Sequence, residues 1–98
     1  MYRPLPEGLT IQASSIHGLG LFASKPLAAD MNLGISHVKM SLSDKEFIRT
    51  PLGGFINHSD TPNCIKGGEG STMLTLKTIR PIQEGEELTV SYTLYKLI

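Results

Sequence analysis

The sequence predicts a small, mainly β domain in which several short sheets pack around one core, and three observations predict it. Apolar and polar residues alternate with a period of two in short stretches along the chain, the mark of half-buried strands. Ten glycines and six prolines are scattered through the 98 residues rather than massed in one tract, so turns interrupt the chain often. A segment beginning at Lys25 is echoed by one beginning at Arg80, which points to two related corners. At this length a single domain is expected over residues 1–98, burying only about two-thirds of the surface its unfolded chain exposes. Any site must then be cut from a thin core.

The elements follow in order. Leu9-Thr10-Ile11-Gln12-Ala13 alternates as a strand, and Leu21-Phe22-Ala23 is the next, joined to it as a hairpin around Ser14 to Gly20. Asn32 to Lys39 reads as a third, weaker strand, with Leu33 and Ile35 set against Gly34, Ser36 and Val38. Ser43-Asp44-Lys45-Glu46 has the form of a capping box, and any helix it opens is short because Pro51 restricts Thr50 and ends it. After Gly53 and Gly54 comes Phe55-Ile56-Asn57-His58-Ser59, then a turn at Asp60-Thr61-Pro62. Cys64 to Lys66 and Thr72 to Thr78 form a hairpin around an exposed, mobile glycine-rich loop over residues 67–71. In the last strand Leu88, Val90 and Tyr92 face one side, and Thr89, Ser91 and Thr93 the other. Lys25-Pro26-Leu27 and Leu33 match Arg80-Pro81-Ile82 and Leu88 at an offset of 55 residues, which predicts the same strand–turn–strand corner in two related sheets.

Composition narrows the function. Nine Lys plus Arg balance nine Asp plus Glu, so the basic field that draws a protein onto DNA or RNA is missing, and no direct nucleic-acid partner is expected. The single cysteine, Cys64, cannot close an intrachain disulfide, which fits a reducing compartment, and His17, His37 and His58 are too far apart for metal-ligand spacing. No metal is expected. The start, MYRPLPEGLTIQ, lacks the apolar stretch of a signal peptide and no apolar run is long enough to cross a bilayer. These features predict an intracellular, cytoplasmic chain without membrane contact, with the nucleus as an open alternative.

Most local motifs are weak taken singly. Gly18-Leu19-Gly20-Leu21-Phe22-Ala23 has the form of a dinucleotide fingerprint, but that motif rests a pyrophosphate on a following helix, and Pro26 and the strand-like Phe22-Ala23 leave no room for one. What survives is a tight turn whose backbone a ligand can approach closely. Asn57-His58-Ser59 matches a glycosylation sequon, without the secretion signal that would make it meaningful. Cys64 with His58 has the residue types of a thiol–imidazole pair, yet a small buried hydrophobe in a strand is the simpler reading of Cys64.

Order and spacing carry more. His17-Gly-Leu-Gly-Leu-Phe-Ala, then Gly54-Phe-Ile-Asn-His-Ser-Asp-Thr-Pro-Asn-Cys64, then Gly85-Glu-Glu-Leu-Thr-Val-Ser-Tyr92 closely resemble three signature segments of the SET-domain family. The resemblance spans roughly residues 9–95, and its second segment is the most specific. It implies a β-clip fold of small curled sheets in which the Asn-His-Ser segment and the C-terminal segment form a pseudoknot. It also implies transfer of a methyl group from S-adenosylmethionine to a protein lysine. Carried over by position, the backbone around His17, Gly18, Leu19 and Gly20 lines the cofactor's methionine and ribose part, Asn57 meets its polar end, and the backbone of His58 meets its adenine. Tyr92 corresponds to the catalytic tyrosine. Displacement at a sulfonium methyl requires only a neutral amine held in line, which an apolar channel beside a cation favours.

The chain departs from the family pattern in places. The stretch from Ser24 to Ile56 is only 33 residues long, where members usually carry a longer insert forming one wall of the peptide groove. No tyrosine lies between Tyr2 and Tyr92, Gly54 stands where many members have arginine, and these residues show no cysteine cluster after Tyr92, so no zinc-bound cap is expected and Cys64 is expected as a free thiol. The partner implied is a protein presenting a lysine, and a homodimer is one way to complete an open groove. The alternative expectation is a catalytically reduced SET-like binding module acting through protein contacts. Methylation of a small amine or of a non-lysine side chain is a third.

Overall fold

A computed structural model describes residues 5–39, 47–68 and 72–91 of the chain. The described residues contain eight strands and one helical turn: β1 (Leu9–Ala13), β2 (Leu19–Ala23), β3 (Asn32–Val38), β4 (Ile48–Arg49), α1 (Pro51–Gly54), β5 (Asn57–His58), β6 (Cys64–Gly67), β7 (Met73–Thr78) and β8 (Glu87–Val90). They form two four-stranded sheets, ordered β1-β2-β8-β5 and β4-β3-β7-β6. Among the described residues the only parallel pairing is β5 with β8, where Asn57 lies opposite Thr89 and His58 opposite Val90.

The repeat read in residues 25–33 and 80–88 extends through a larger unit. Leu9 pairs with Ala23 and Ile11 with Leu21 in the β1–β2 hairpin, and at the same offset of 55 Cys64 pairs with Thr78 and Lys66 with Leu76 in the β6–β7 hairpin. The corner after each hairpin crosses to the other sheet. The chain leaving β2 becomes β3, which pairs with β7, and the chain leaving β7 becomes β8, which pairs with β2. The closures are equivalent as well: Gly85 N donates to Ala23 O at 2.7 Å and Asp30 N to Thr78 O at 3.0 Å. The two copies meet at a bridge in which Leu27 N donates to Ile82 O at 2.8 Å and Ile82 N to Leu27 O at 2.9 Å. Asp30 and Gly85, at corresponding positions, both turn with positive φ (57° and 87°), a conformation that glycine adopts freely and aspartate more readily than most residues.

Exchange of the third strand is why so short a chain holds one core. Leu9, Leu21, Leu27 and Leu33 are buried together with their counterparts Cys64, Leu76, Ile82 and Leu88. Each fully buried leucine contributes about 1.5–3 kcal/mol relative to an exposed one. Leu52 joins this cluster from α1. The helical turn lies so close to β3 that a Cβ on Gly53 would stand 2.1 Å from the Ser36 carbonyl oxygen, so glycine is required there.

Two local expectations, for β3 and β8, are corrected, and Pro51, which keeps Thr50 extended as expected, has a further role. Pro51 begins the helical turn: Thr50 is extended (φ −79°, ψ 170°) and its side chain accepts from Gly53 N, the N-cap arrangement that suits proline in the first turn. The expected capping box, Ser43-Asp44-Lys45-Glu46, lies outside the described residues, as does most of the expected mobile loop. In β3 the simple alternation fails, because register shifts between Asn32 and Gly34 and between Ile35 and His37 expose Ile35 while burying both Ser36 and His37. In β8 Thr89 is buried along with Leu88 and Val90, since β5 and the side chain of Asn63 close over the strand.

Candidate functional site

Hydrogen bonding shapes the turn between β1 and β2. Ser14 N donates to Gly18 O at 2.8 Å, and the Ser14 hydroxyl accepts from Ile16 N at 2.9 Å and His17 N at 3.4 Å. Gly18 has φ +48°, and a Cβ there would meet nothing within 4 Å, so its face of the turn is open. Ile16 and Leu19 beside it are each about half exposed (50% and 52%).

Asn57 fastens this turn to the start of β8. Its Nδ2 lies 2.9 Å from Glu87 Oε2, 3.1 Å from Ser14 Oγ, 3.1 Å from the His17 carbonyl and 3.3 Å from the Leu19 carbonyl. An amide nitrogen carries two hydrogens, so these bonds are shared, and the acceptors around it determine which end of the amide faces the turn. The opposite orientation would turn the amide oxygen toward carboxylate and carbonyl oxygens. The oxygen Oδ1 accepts no bond from the described residues. The Ser14 hydroxyl lies 2.8 and 2.9 Å from the two oxygens of Glu87, completing a cluster of Ser14, Asn57 and Glu87.

The structure therefore brings His17, Gly18, Leu19 and Gly20 together with Asn57. The imidazole of His58 turns away to Asp60, with Nε2 3.0 Å from Oδ1, while its backbone runs beside Val90 and the next residue, Ser59, donates its N–H to the Val90 carbonyl at 2.9 Å. Tyr92 lies outside the described residues, two positions beyond Val90 in the chain. Ser14, Asn63 and Glu87 belong to the site as well, without a sequence signal that assigns them a role. Glu87 and Asn63 stand inside the quoted motifs, whereas Ser14 carries no signal beyond being a turn residue.

Glu86 and Arg80 support the corner leading into β8. The Arg80 Nη2 is 2.5 Å from Glu86 Oε2, and this bond is the main cause holding the Glu86 carboxyl below its ordinary range. Cys64 is 1% exposed, and burial pushes its thiol up to about 12, the reverse of activation. In the second sheet Lys66 Nζ lies 3.3 and 3.4 Å from the two ring nitrogens of His37, whose Nδ1 is 3.0 Å from Ser36 Oγ. Desolvation, reinforced by Arg49, lowers Lys66 to about 7; desolvation, then Lys66 and Arg49, lowers His37 to about 4. Among the described residues no group of His, Cys, Asp and Glu could hold a metal ion, and no helix is long and apolar enough to cross a membrane.

A family model described as the SET domain matches residues 29–93, about two-thirds of the chain. The chain belongs to the SET-domain family. Its match includes Asn57, His58, Glu87 and Tyr92 and begins after the His17–Gly20 turn. A SET and MYND domain-containing protein of Dictyostelium discoideum is 44% identical over 43 residues, 44% of this chain and 11% of that protein. A second from the same organism is 40% identical over 43 residues, 10% of its length. The chain thus aligns with only about a tenth of these relatives. The fold is shared with a crystal structure of a Plasmodium falciparum protein described as a histone methyltransferase, at a TM-score of 0.71 and 19% identity, covering 90% of this chain and 95% of that one. The mainly β architecture of several small sheets expected from the sequence is the one found.

Proposed function

We propose that this SET domain is an S-adenosylmethionine-dependent methyltransferase that acts on a protein lysine side chain. The observation that carries the reading is the Asn57 amide, which ties the carbonyls of His17 and Leu19 to Glu87 of β8 and so brings together all three signature segments. The residues suit the cofactor. The face of Gly18 is open, the exposed Ile16 and Leu19 offer apolar surface beside it, and Asn57 Oδ1 has capacity to accept from an ammonium group. When bound, the cofactor supplies an electrophilic sulfonium methyl.

In this reading the backbone of His17 to Gly20 lines the cofactor's methionine and ribose part, Asn57 holds its polar end and the backbone of His58 borders the adenine. The hydroxyl of Tyr92 orients the incoming amine. That amine must be neutral, and ordinary lysine titrates near 10.4, so desolvation in the substrate channel lowers it. Alignment supplies most of the acceleration, and no covalent intermediate on the protein is required.

The first test is a thermal melt with S-adenosylhomocysteine, the expected product. A ligand at a hundred times its Kd stabilises by about 2.7 kcal/mol, and in a domain of this size that moves Tm by about 10 °C or more. No shift at millimolar ligand removes the cofactor reading. The second reading, a catalytically reduced module acting through protein contacts, is favoured by one face of the second sheet, where Ile35, Ile48, Ile65 and Met73 are 39–64% exposed. Binding of S-adenosylhomocysteine without methyl transfer to any lysine peptide supports that reading.

A further inference from the structure

We propose that Glu87 is a positioning residue that holds the His17–Gly20 turn in its ligand-ready shape; the proposal rests on the cofactor reading above. The carboxylate is the one anionic member of the cluster and the acceptor that Ser14 and Asn57 share. It lies 2.8 and 2.9 Å from Ser14 Oγ and 2.9 Å from Asn57 Nδ2, and hydrogen bonds to a charged acceptor are roughly twice as strong as neutral ones. A Cβ on Gly20 would stand 2.2 Å from Glu87 Oε2 and 3.0 Å from the Ser14 Cβ, so the carboxylate packs directly against the turn's backbone. This gives Gly20 a need separate from that of Gly18: Gly20 admits the carboxylate from inside, while Gly18 leaves the outer face open.

The geometry makes the turn depend on this contact. Ile16, His17, Gly18 and Leu19 are exposed, and within the turn the backbone bond from Ser14 N to Gly18 O is supplemented by the bonds of Ile16 and His17 to the Ser14 hydroxyl. That hydroxyl is in turn oriented by Glu87, because donating its hydrogen to the carboxylate directs its lone pairs at the two amides. Removing the carboxylate frees the hydroxyl to rotate and leaves the Asn57 amide only neutral acceptors. The turn then samples other shapes, and apparent affinity falls by the fraction of molecules that keep the competent one. Glu87 acts through Ser14 and Asn57, so the loss belongs to binding rather than to the methyl-transfer step.

The test uses the full chain, with S-adenosylhomocysteine titrated calorimetrically into wild type, Glu87→Ala and Glu87→Gln. Glu87→Ala is expected to weaken binding about ten-fold or more, while Glu87→Gln, whose amide oxygen can still accept from both Ser14 Oγ and Asn57 Nδ2 as Glu87 Oε2 does, recovers to within about three-fold. In turnover, KM for S-adenosylmethionine rises by a similar factor and kcat changes far less. Without ligand, the amides of Ile16 and His17 exchange hydrogen faster in Glu87→Ala than in wild type. Where Glu87→Ala does not fold, Ser14→Ala carries the same expectation. Wild-type affinity in the alanine variant, or a loss confined to kcat, overturns the proposal alone. No binding by wild type overturns the cofactor reading, and this proposal with it.

Discussion

The side chain of Asn63 accepts the backbone N–H of Thr89 through Oδ1 at 2.8 Å, and its Nδ2 donates to the Glu87 carbonyl at 2.8 Å. One side chain thereby makes the two bonds that a neighbouring strand would make to β8, and it does so at 2% exposure. Asn63→Ala leaves a buried donor and acceptor without partners, each costing about 1–3 kcal/mol. At roughly 4–8 °C per kcal/mol, a melt should fall by about 10 °C or more, and a loss under about 3 °C would show that the two bonds are dispensable.

Lys66 and His37 predict a pH dependence of stability. Both are bases lowered by folding, Lys66 to about 7 and His37 to about 4, so between folded and unfolded values the unfolded chain binds more protons and stability rises with pH. The Lys66 contribution is complete above about 10.5, is lost as pH falls toward 7, and the His37 contribution is lost between about 6.5 and 4. Tm of the wild type should therefore climb by about 5–10 °C from pH 7 to pH 9.5, and Lys66→Met should flatten that climb while keeping a smaller change below pH 6.5, because burial remains the main cause of the His37 shift once the Lys66 charge is gone. A profile equally steep in Lys66→Met would remove Lys66 as its cause.

Cys64 should be inert in the folded chain. The thiolate is the reactive form, and at 1% exposure with the thiol pushed up to about 12 almost none exists at neutral pH. A disulfide reagent should label it at least about a hundred-fold more slowly in buffer than in denaturant, in line with the small fraction of open molecules. Comparable rates in both would mean that β6 opens readily.

Tyr92→Phe tests the proposed chemistry. Methyl transfer should fall by about ten-fold or more, each factor of ten being about 1.4 kcal/mol of barrier, while affinity for S-adenosylhomocysteine changes little. Unchanged single-turnover rates would take the hydroxyl out of the mechanism.

Local sequence suffices for the class of fold, for the strands β1, β2, β3, β6, β7 and β8, and for the family. Period-two alternation and the intervening turns are local properties, and the Asn57–Cys64 segment is continuous in the chain. The repeat was legible in outline as well, because Lys25-Pro26 and Arg80-Pro81 mark equivalent corners. Tertiary structure decided what lies between distant segments. It seated the helical turn that Thr50 and Pro51 begin against β3, where Thr50 Oγ1 donates to the Ile35 and Ser36 carbonyls, and it broke the alternation of β3 by register shifts against β7. It also exchanged the third strand of each repeat and gathered Ser14, Asn57 and Glu87, residues separated by up to 73 positions, into one cluster. Alternation records which face of a strand is buried, and it carries no record of which strand comes to lie alongside or which polar side chain fills a gap between them.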